Sequence, residues 1–168
     1  WNHPRLGAVS PGEFIPLAEA TALITPLTQR VLEYALRAVA GWQKSRPGMK
    51  ISVNVSPKNL EEPDFVSLLD AMTERLGVDP ALVELEFTEG MLATNWQFMM
   101  RQMDRLRTSG FQIAIDDFGS GYSNMSYLGK IPARYLKIDQ AFVRPLDQER
   151  KNQLLVHAII EMAHALDY

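Results

Sequence analysis

The chain has 168 residues, is 46% hydrophobic and contains no cysteine, which describes one globular domain with a sizeable core and excludes a disulfide framework and thiolate chemistry. Its 17 Lys and Arg stand against 20 Asp and Glu, a net charge of −3. No basic surface is therefore available for duplex nucleic acid or anionic lipid, and an anionic substrate would need metal ions to offset repulsion. No apolar run approaches the length of a membrane span, nothing reads as a signal peptide, and the lack of cysteine fits a cytoplasmic setting.

In chain order, Trp1 to Gly7 reads as the exit of an upstream strand, with His3 beside Pro4 as a polar turn residue. Ser10, Pro11 and Glu13 form a capping box with proline at the first helical position, and the short helix that follows carries Phe14, Ile15 and Leu17. Thr25-Pro26 repeats the device ahead of an amphipathic helix over Leu27 to Trp42, with Val31, Ala35, Ala38 and Trp42 inward. Ile51 to Ser56 alternates as a strand, Pro63 opens a helix that Gly77 closes, and Leu82 to Glu89 is a second strand. Asn95 to Thr108 is a helix whose Met99 and Met103 fill core rather than bind a ligand. A strand from Ile113 leads into D-D-F-G-S-G, a turn of helix surrounds Ser126-Tyr127-Leu128, and Tyr135 to Val143 continues the strand pattern. Gln148 to Tyr168 is a last helix on which His157 and His164 are packing or surface residues.

Strands alternating with helix-length crossovers build a parallel sheet. The four strands share one parity: Ile51, Val53, Val55, Val83, Leu85, Phe87, Ile113, Ile115, Leu136 and Ile138 take one face. Ser52, Asn54, Glu84, Glu86, Thr88, Asp116, Lys137 and Asp139 take the other. A parallel sheet is covered on both faces or closed into a barrel, so this polar face predicts the interior of a (β/α)8 TIM-type barrel near its carboxyl-end mouth. Buried charges there need partners, and carboxylates with an amide are hard oxygen ligands for Mg2+ or Mn2+. Two chemistries fit: two ions activating water against a phosphoester, or one Mg2+ held by Glu86 and Asp116 while Lys137 abstracts a proton as in enolase-like barrels. Spacing does not choose between them.

The motifs in order, W-N-H-P-R-L-G-A-V-S-P-G-E-F-I-P-L-A-E, S-V-N-V-S, E-F-T-E, D-D-F-G-S-G-Y-S and L-K-I-D, resemble the EAL-domain cyclic di-GMP phosphodiesterases of bacterial signalling. The resemblance implies a TIM-type barrel with one irregular antiparallel strand, two Mg2+ or Mn2+ ions, and hydrolysis of cyclic di-GMP to linear pGpG. It implies that Asn54, Glu86 and Asp116 are metal ligands and that Asp117 is a ligand or water-holder for the second ion. It further implies that Lys137 contacts the attacking water and the phosphate, that Glu89 anchors the D-D-F-G-S-G loop, and that Asp139 supports the same mouth. A homodimer contact near that loop and fusion to sensory or GGDEF-type domains are implied as well. Ser120 stands where threonine is commoner, and Arg134 where an acidic residue is frequent.

The start at Trp1, rather than Met, and the end at Tyr168 leave the expectation of a single EAL-type domain over residues 1–168 truncated at both ends. Four central parallel strands are then in view and the first and last lie outside the chain, since a full barrel needs about 250 residues. A binding domain that senses the nucleotide without cleaving it is the alternative. The enolase-like enzyme is third and predicts no affinity for a cyclic dinucleotide.

Overall fold

The computed structural model describes residues 1–90, 95–119 and 128–168. The expectations for Ser120, for the rest of the D-D-F-G-S-G loop beyond Gly119 and for the helical turn at Ser126-Tyr127 lie outside the described residues.

The amino-terminal segment is a two-stranded antiparallel hairpin, β1 (Asn2–His3) with β2 (Gly7–Ala8), rather than the exit of a single strand. His3 makes the turn: its Nδ1 accepts the amides of Arg5 and Leu6, each at 3.2 Å. Ser10 then caps α1 (Pro11–Ala20), its hydroxyl accepting the Gly12 amide at 3.3 Å. Helix α2 (Ile24–Ser45) starts earlier than Thr25-Pro26 predicts, because Pro26 sits in the first turn, where its missing N–H has no intrahelical partner to lose. The inward stripe also differs from the one expected. Ile24, Thr28, Leu32, Ala35, Leu36 and Val39 are buried, while Val31, expected inside, faces solvent.

Strand β3 (Ile51–Asn54) is followed by a short helix α3 (Pro57–Glu61) that the sequence does not announce, and by α4 (Phe65–Leu76). Gly77, in the left-handed conformation at φ +63°, ends α4 as expected. A 3-10 turn (Pro80–Leu82) leads into β4 (Val83–Thr88), then α5 (Trp96–Thr108) and β5 (Gln112–Phe118). Strand β6 (Tyr135–Ile138) is shorter than the sequence suggests. At Asp139 the side chain accepts the Ala141 amide at 2.8 Å and starts a helical turn, α6 (Gln140–Val143), before α7 (Arg150–Ala165).

The four strands β3-β4-β5-β6 form one parallel sheet in sequence order. The register pairs like with like: Ile51 with Val83, Leu85 with Ile113, and Ile115 with Leu136 on one face. Ser52 with Glu84, Asn54 with Glu86, and Thr88 with Asp116 lie on the other. The apolar face is covered by helices: Leu32, Leu36 and Val39 of α2, Phe65 and Leu69 of α4, and Met99, Met103 and Leu106 of α5 join Val83, Leu85 and Ile113 in one buried cluster. Truncating a fully buried leucine in such a cluster costs about 2–5 kcal/mol.

The polar face is concave. The Lys50 ammonium lies 5.9 Å from the centroid of the Tyr135 ring, although β4 and β5 separate the strands these residues flank. A flat sheet would hold these strands three spacings apart, about 14 Å at the backbone. The architecture is that of an incomplete α/β barrel: four parallel strands with helices outside and a polar concavity inside.

Candidate active site

The inner face of a barrel strand becomes chemically useful at its carboxyl end, where the backbone leaves the sheet and side chains open to solvent. Glu86 and Thr88 occupy that end of β4, Asp116 that of β5, and Asn54 that of β3. Alternation puts them on one face, and the register aligns Asn54 with Glu86 and Thr88 with Asp116. Asn54 also borders a groove of about 630 Å3 between α1, α2 and β3.

Lys137 spans the concavity. Its ammonium pairs with Glu84 at 2.7 Å and with Glu86, both two strands away on β4. Burial would lower the lysine's proton affinity, but hydrogen bonds to Glu84 and Glu86 outweigh it and hold the group above its ordinary range, a fixed cation. Glu84 is the reciprocal case. Burial pushes its carboxyl up, yet Lys137 and the Ser52 hydroxyl bring it below the ordinary carboxylate range.

Beyond Asp116 the strand bends. Asp117 has φ +52° and Gly119 φ +96°, and the β5–β6 register slips between Ile115 and Phe118. Adjacent strand residues ordinarily point to opposite faces, and the left-handed Asp117 breaks that rule where the sequence requires it for two carboxylates to share a region. Burial, and then the charges of Asp116 and Asp139, raise the Asp117 carboxyl above its ordinary value. Asp117 thus feels the charge of both other acids.

Glu89, one residue past β4, is 8% exposed. Its Oε2 accepts the Gly119 amide at 3.0 Å, while Oε1, fully buried, has no hydrogen-bond partner among the described residues. On the other side of the turn the Asp139 amide donates to the Phe118 carbonyl at 3.3 Å.

Of the residues singled out from the sequence, Glu86 and Lys137 are in contact, Glu89 holds the start of the loop, and the charges of Asp116 and Asp139 act on Asp117. Asn54 and Asp116 make no side-chain hydrogen bond to the Glu86–Lys137 pair among the described residues. Nor do any three Asp, Glu or His side chains among them enclose an ion by themselves. The Asn54 amide with the Glu86 and Asp116 carboxylates is nonetheless a hard-oxygen donor set on three adjacent strands, the chemistry Mg2+ or Mn2+ takes when water and substrate oxygens complete the shell. Glu86 already has a cationic partner in Lys137. Sequence reasoning placed Glu84 and Ser52 on the polar face but gave them no task. Their spacing of two from Glu86 and Asn54 was the available signal.

The whole chain, residues 1–168, matches the family model for the EAL domain. It is 39% identical over its full length to the cyclic di-GMP phosphodiesterase PA2567 of Pseudomonas aeruginosa, covering 29% of that protein. It is 32% identical to the cyclic di-GMP phosphodiesterase PdeR of Escherichia coli, with 99% of this chain and 25% of that protein covered. Among solved structures, the PaMucR phosphodiesterase in complex with c-di-GMP superposes with a TM-score of 0.92 at 33% identity, over 99% of this chain and 68% of that one. The chain therefore spans less than a third of the length of these curated relatives, and it belongs to the EAL domain family.

Proposed function

We propose that the domain hydrolyses cyclic di-GMP to linear pGpG at the carboxyl-end mouth of the barrel, using two divalent cations, Mg2+ or Mn2+. The observation that carries the reading is the Glu86–Lys137 contact, which sets an anionic ligand and a fixed ammonium side by side on a face shared with Asn54 and Asp116. It is supported by family membership and by relatives named as cyclic di-GMP phosphodiesterases.

In this reading Asn54, Glu86 and Asp116 hold the first ion, and Asp117 serves the second. When bound, the ions lower the pKa of a coordinated water and neutralise the phosphate. The chain's own residues do the rest. Lys137 directs an ammonium N–H at the scissile phosphate and the attacking water, stabilising charge that grows on the phosphoryl oxygens. Glu89 fixes the loop at Gly119 and so aims Asp117. Asp139 caps α6 and bonds the Phe118 carbonyl through its amide, closing the turn from the far side.

The reading includes further sensory or GGDEF-type domains in the same protein, a homodimer, and a cytoplasmic setting. The small share of the relatives' length that this chain accounts for supports the first. No described helix is long and apolar enough to cross a membrane.

Incubation of the full-length protein with cyclic di-GMP and Mg2+ or Mn2+, followed by chromatography, is the test. Appearance of pGpG that chelator abolishes is the expected result. Binding of cyclic di-GMP without turnover would replace hydrolysis by sensing, and no affinity at all would sink both.

A further inference from the structure

Beneath Glu86, one inward layer deeper in the barrel, lies a polar arrangement that the proposed reaction does not use. Ser52 Oγ donates to Glu84 Oε1 at 2.9 Å, and the same oxygen takes the Lys137 ammonium at 2.7 Å. The chain of contacts runs from β3 through β4 to β6. Lys137 reaches β4 across β5, whose inward residue there, Ala114, is fully buried and pairs in register with both Glu86 and Tyr135. At that row the intervening strand carries only a methyl group.

An ammonium has three hydrogens. With Glu84 and Glu86 both engaged, one remains to point toward the mouth. When Glu86 turns to a cation it ceases to be an adequate partner for a second positive charge, and a flexible four-carbon stem with no other tether among the described residues would be driven away. Glu84, one layer further from the mouth and braced by Ser52, is the tether that survives this exchange. On the proposed phosphodiesterase reading of the site, we infer that Glu84 is the positioning residue for Lys137: with Ser52 it holds the ammonium in place over the barrel floor while Glu86 serves a metal ion.

Two readouts on the full-length protein test this. The first is steady-state hydrolysis of cyclic di-GMP. Glu84→Gln is expected to lower kcat about 10 to 100-fold, the usual loss when a supporting partner is removed, while KM stays within about threefold because nucleotide contacts are untouched. The second needs no activity: labelling of the Lys137 amine by acetic anhydride at one fixed pH in protein saturated with Mg2+, followed by mass spectrometry with Lys44 and Lys151 as internal references. Glu84→Gln is expected to raise Lys137 labelling several-fold against those references. Ser52→Ala, which keeps the carboxylate and removes its brace, moves both readouts the same way by less, and carries the test if Glu84→Gln does not fold. Unchanged kcat, or a fall in kcat with Lys137 labelling unchanged, overturns the inference. Absence of turnover in the wild type would overturn the phosphodiesterase reading instead, and labelling alone then decides whether Glu84 holds Lys137.

Discussion

Glu89 Oε2 accepts the amide of Gly119 at 3.0 Å, joining the end of β4 to the first turn of the loop thirty residues later. One carboxylate thereby fixes the backbone that presents Asp117. Glu89→Ala should lower turnover of cyclic di-GMP about 10 to 100-fold while changing nucleotide affinity much less, since orientation and not contact is lost. Calorimetric titration beside steady-state kinetics checks it. A matching loss of affinity would put Glu89 in the nucleotide pocket.

Asp116→Asn should abolish hydrolysis and leave thermal stability nearly unchanged. Asp116 makes no side-chain hydrogen bond among the described residues, so the fold loses little, whereas an amide is a poorer cation ligand than a carboxylate. Residual turnover above about a tenth of wild type would contradict the ligand assignment, because metal activation of water contributes several kcal/mol.

The strands and their faces were legible in the sequence because alternation has a period of two and the pairings preserve it up to the slip after Ile115. That parity sufficed to collect Asn54, Glu86, Asp116 and Lys137 on one side. The α2 stripe was misread because Thr28 counts as polar, yet it is buried together with Ile24 and Leu32. The end of β6 was overrun because F-V after I-D continues an apolar pattern, while the event that stops the strand is a side-chain cap at Asp139. The contact of Glu84 with Lys137 was illegible for a different reason. A long lysine reaching over an alanine two strands away is tertiary geometry that no local spacing encodes.

Gly119→Ala should destabilise the fold by about 1–3 kcal/mol, the usual cost of a side chain at a positive φ. A Cβ there would also lie 2.8 Å from Cε2 of Phe142 on α6. Denaturant unfolding measures the loss. Adding Phe142→Leu should recover only part of it, because the ring contact is relieved and the φ of +96° is not. Full recovery would show that contact, not backbone conformation, dictates glycine here.

The sign of the Asp117 shift yields a pH prediction. Burial, Asp116 and Asp139 raise its carboxyl in the folded protein, so the native state binds a proton more readily than the unfolded chain, and the ionised group opposes folding. In metal-free protein Asp117→Asn should therefore raise the melting temperature near neutral pH. The gain should shrink as pH falls below the ordinary aspartate range, where both forms are neutral. Salt should weaken only the part that comes from the charges of Asp116 and Asp139. A melting temperature lower than wild type at neutral pH would mean that the Asp117 charge stabilises the turn.

The left-handed backbone at Asp117 also restricts what this position can become over evolutionary time. At φ +52° most side chains are penalised, and glycine, asparagine and aspartate are the residues that tolerate the conformation. Asparagine retains the turn, removes a carboxylate that burial and the charges of Asp116 and Asp139 oppose, and is a single nucleotide change from aspartate. On the proposed phosphodiesterase reading, the geometry that brings a second carboxylate to the mouth would leave a short mutational path from a domain that hydrolyses its nucleotide to one that only binds it.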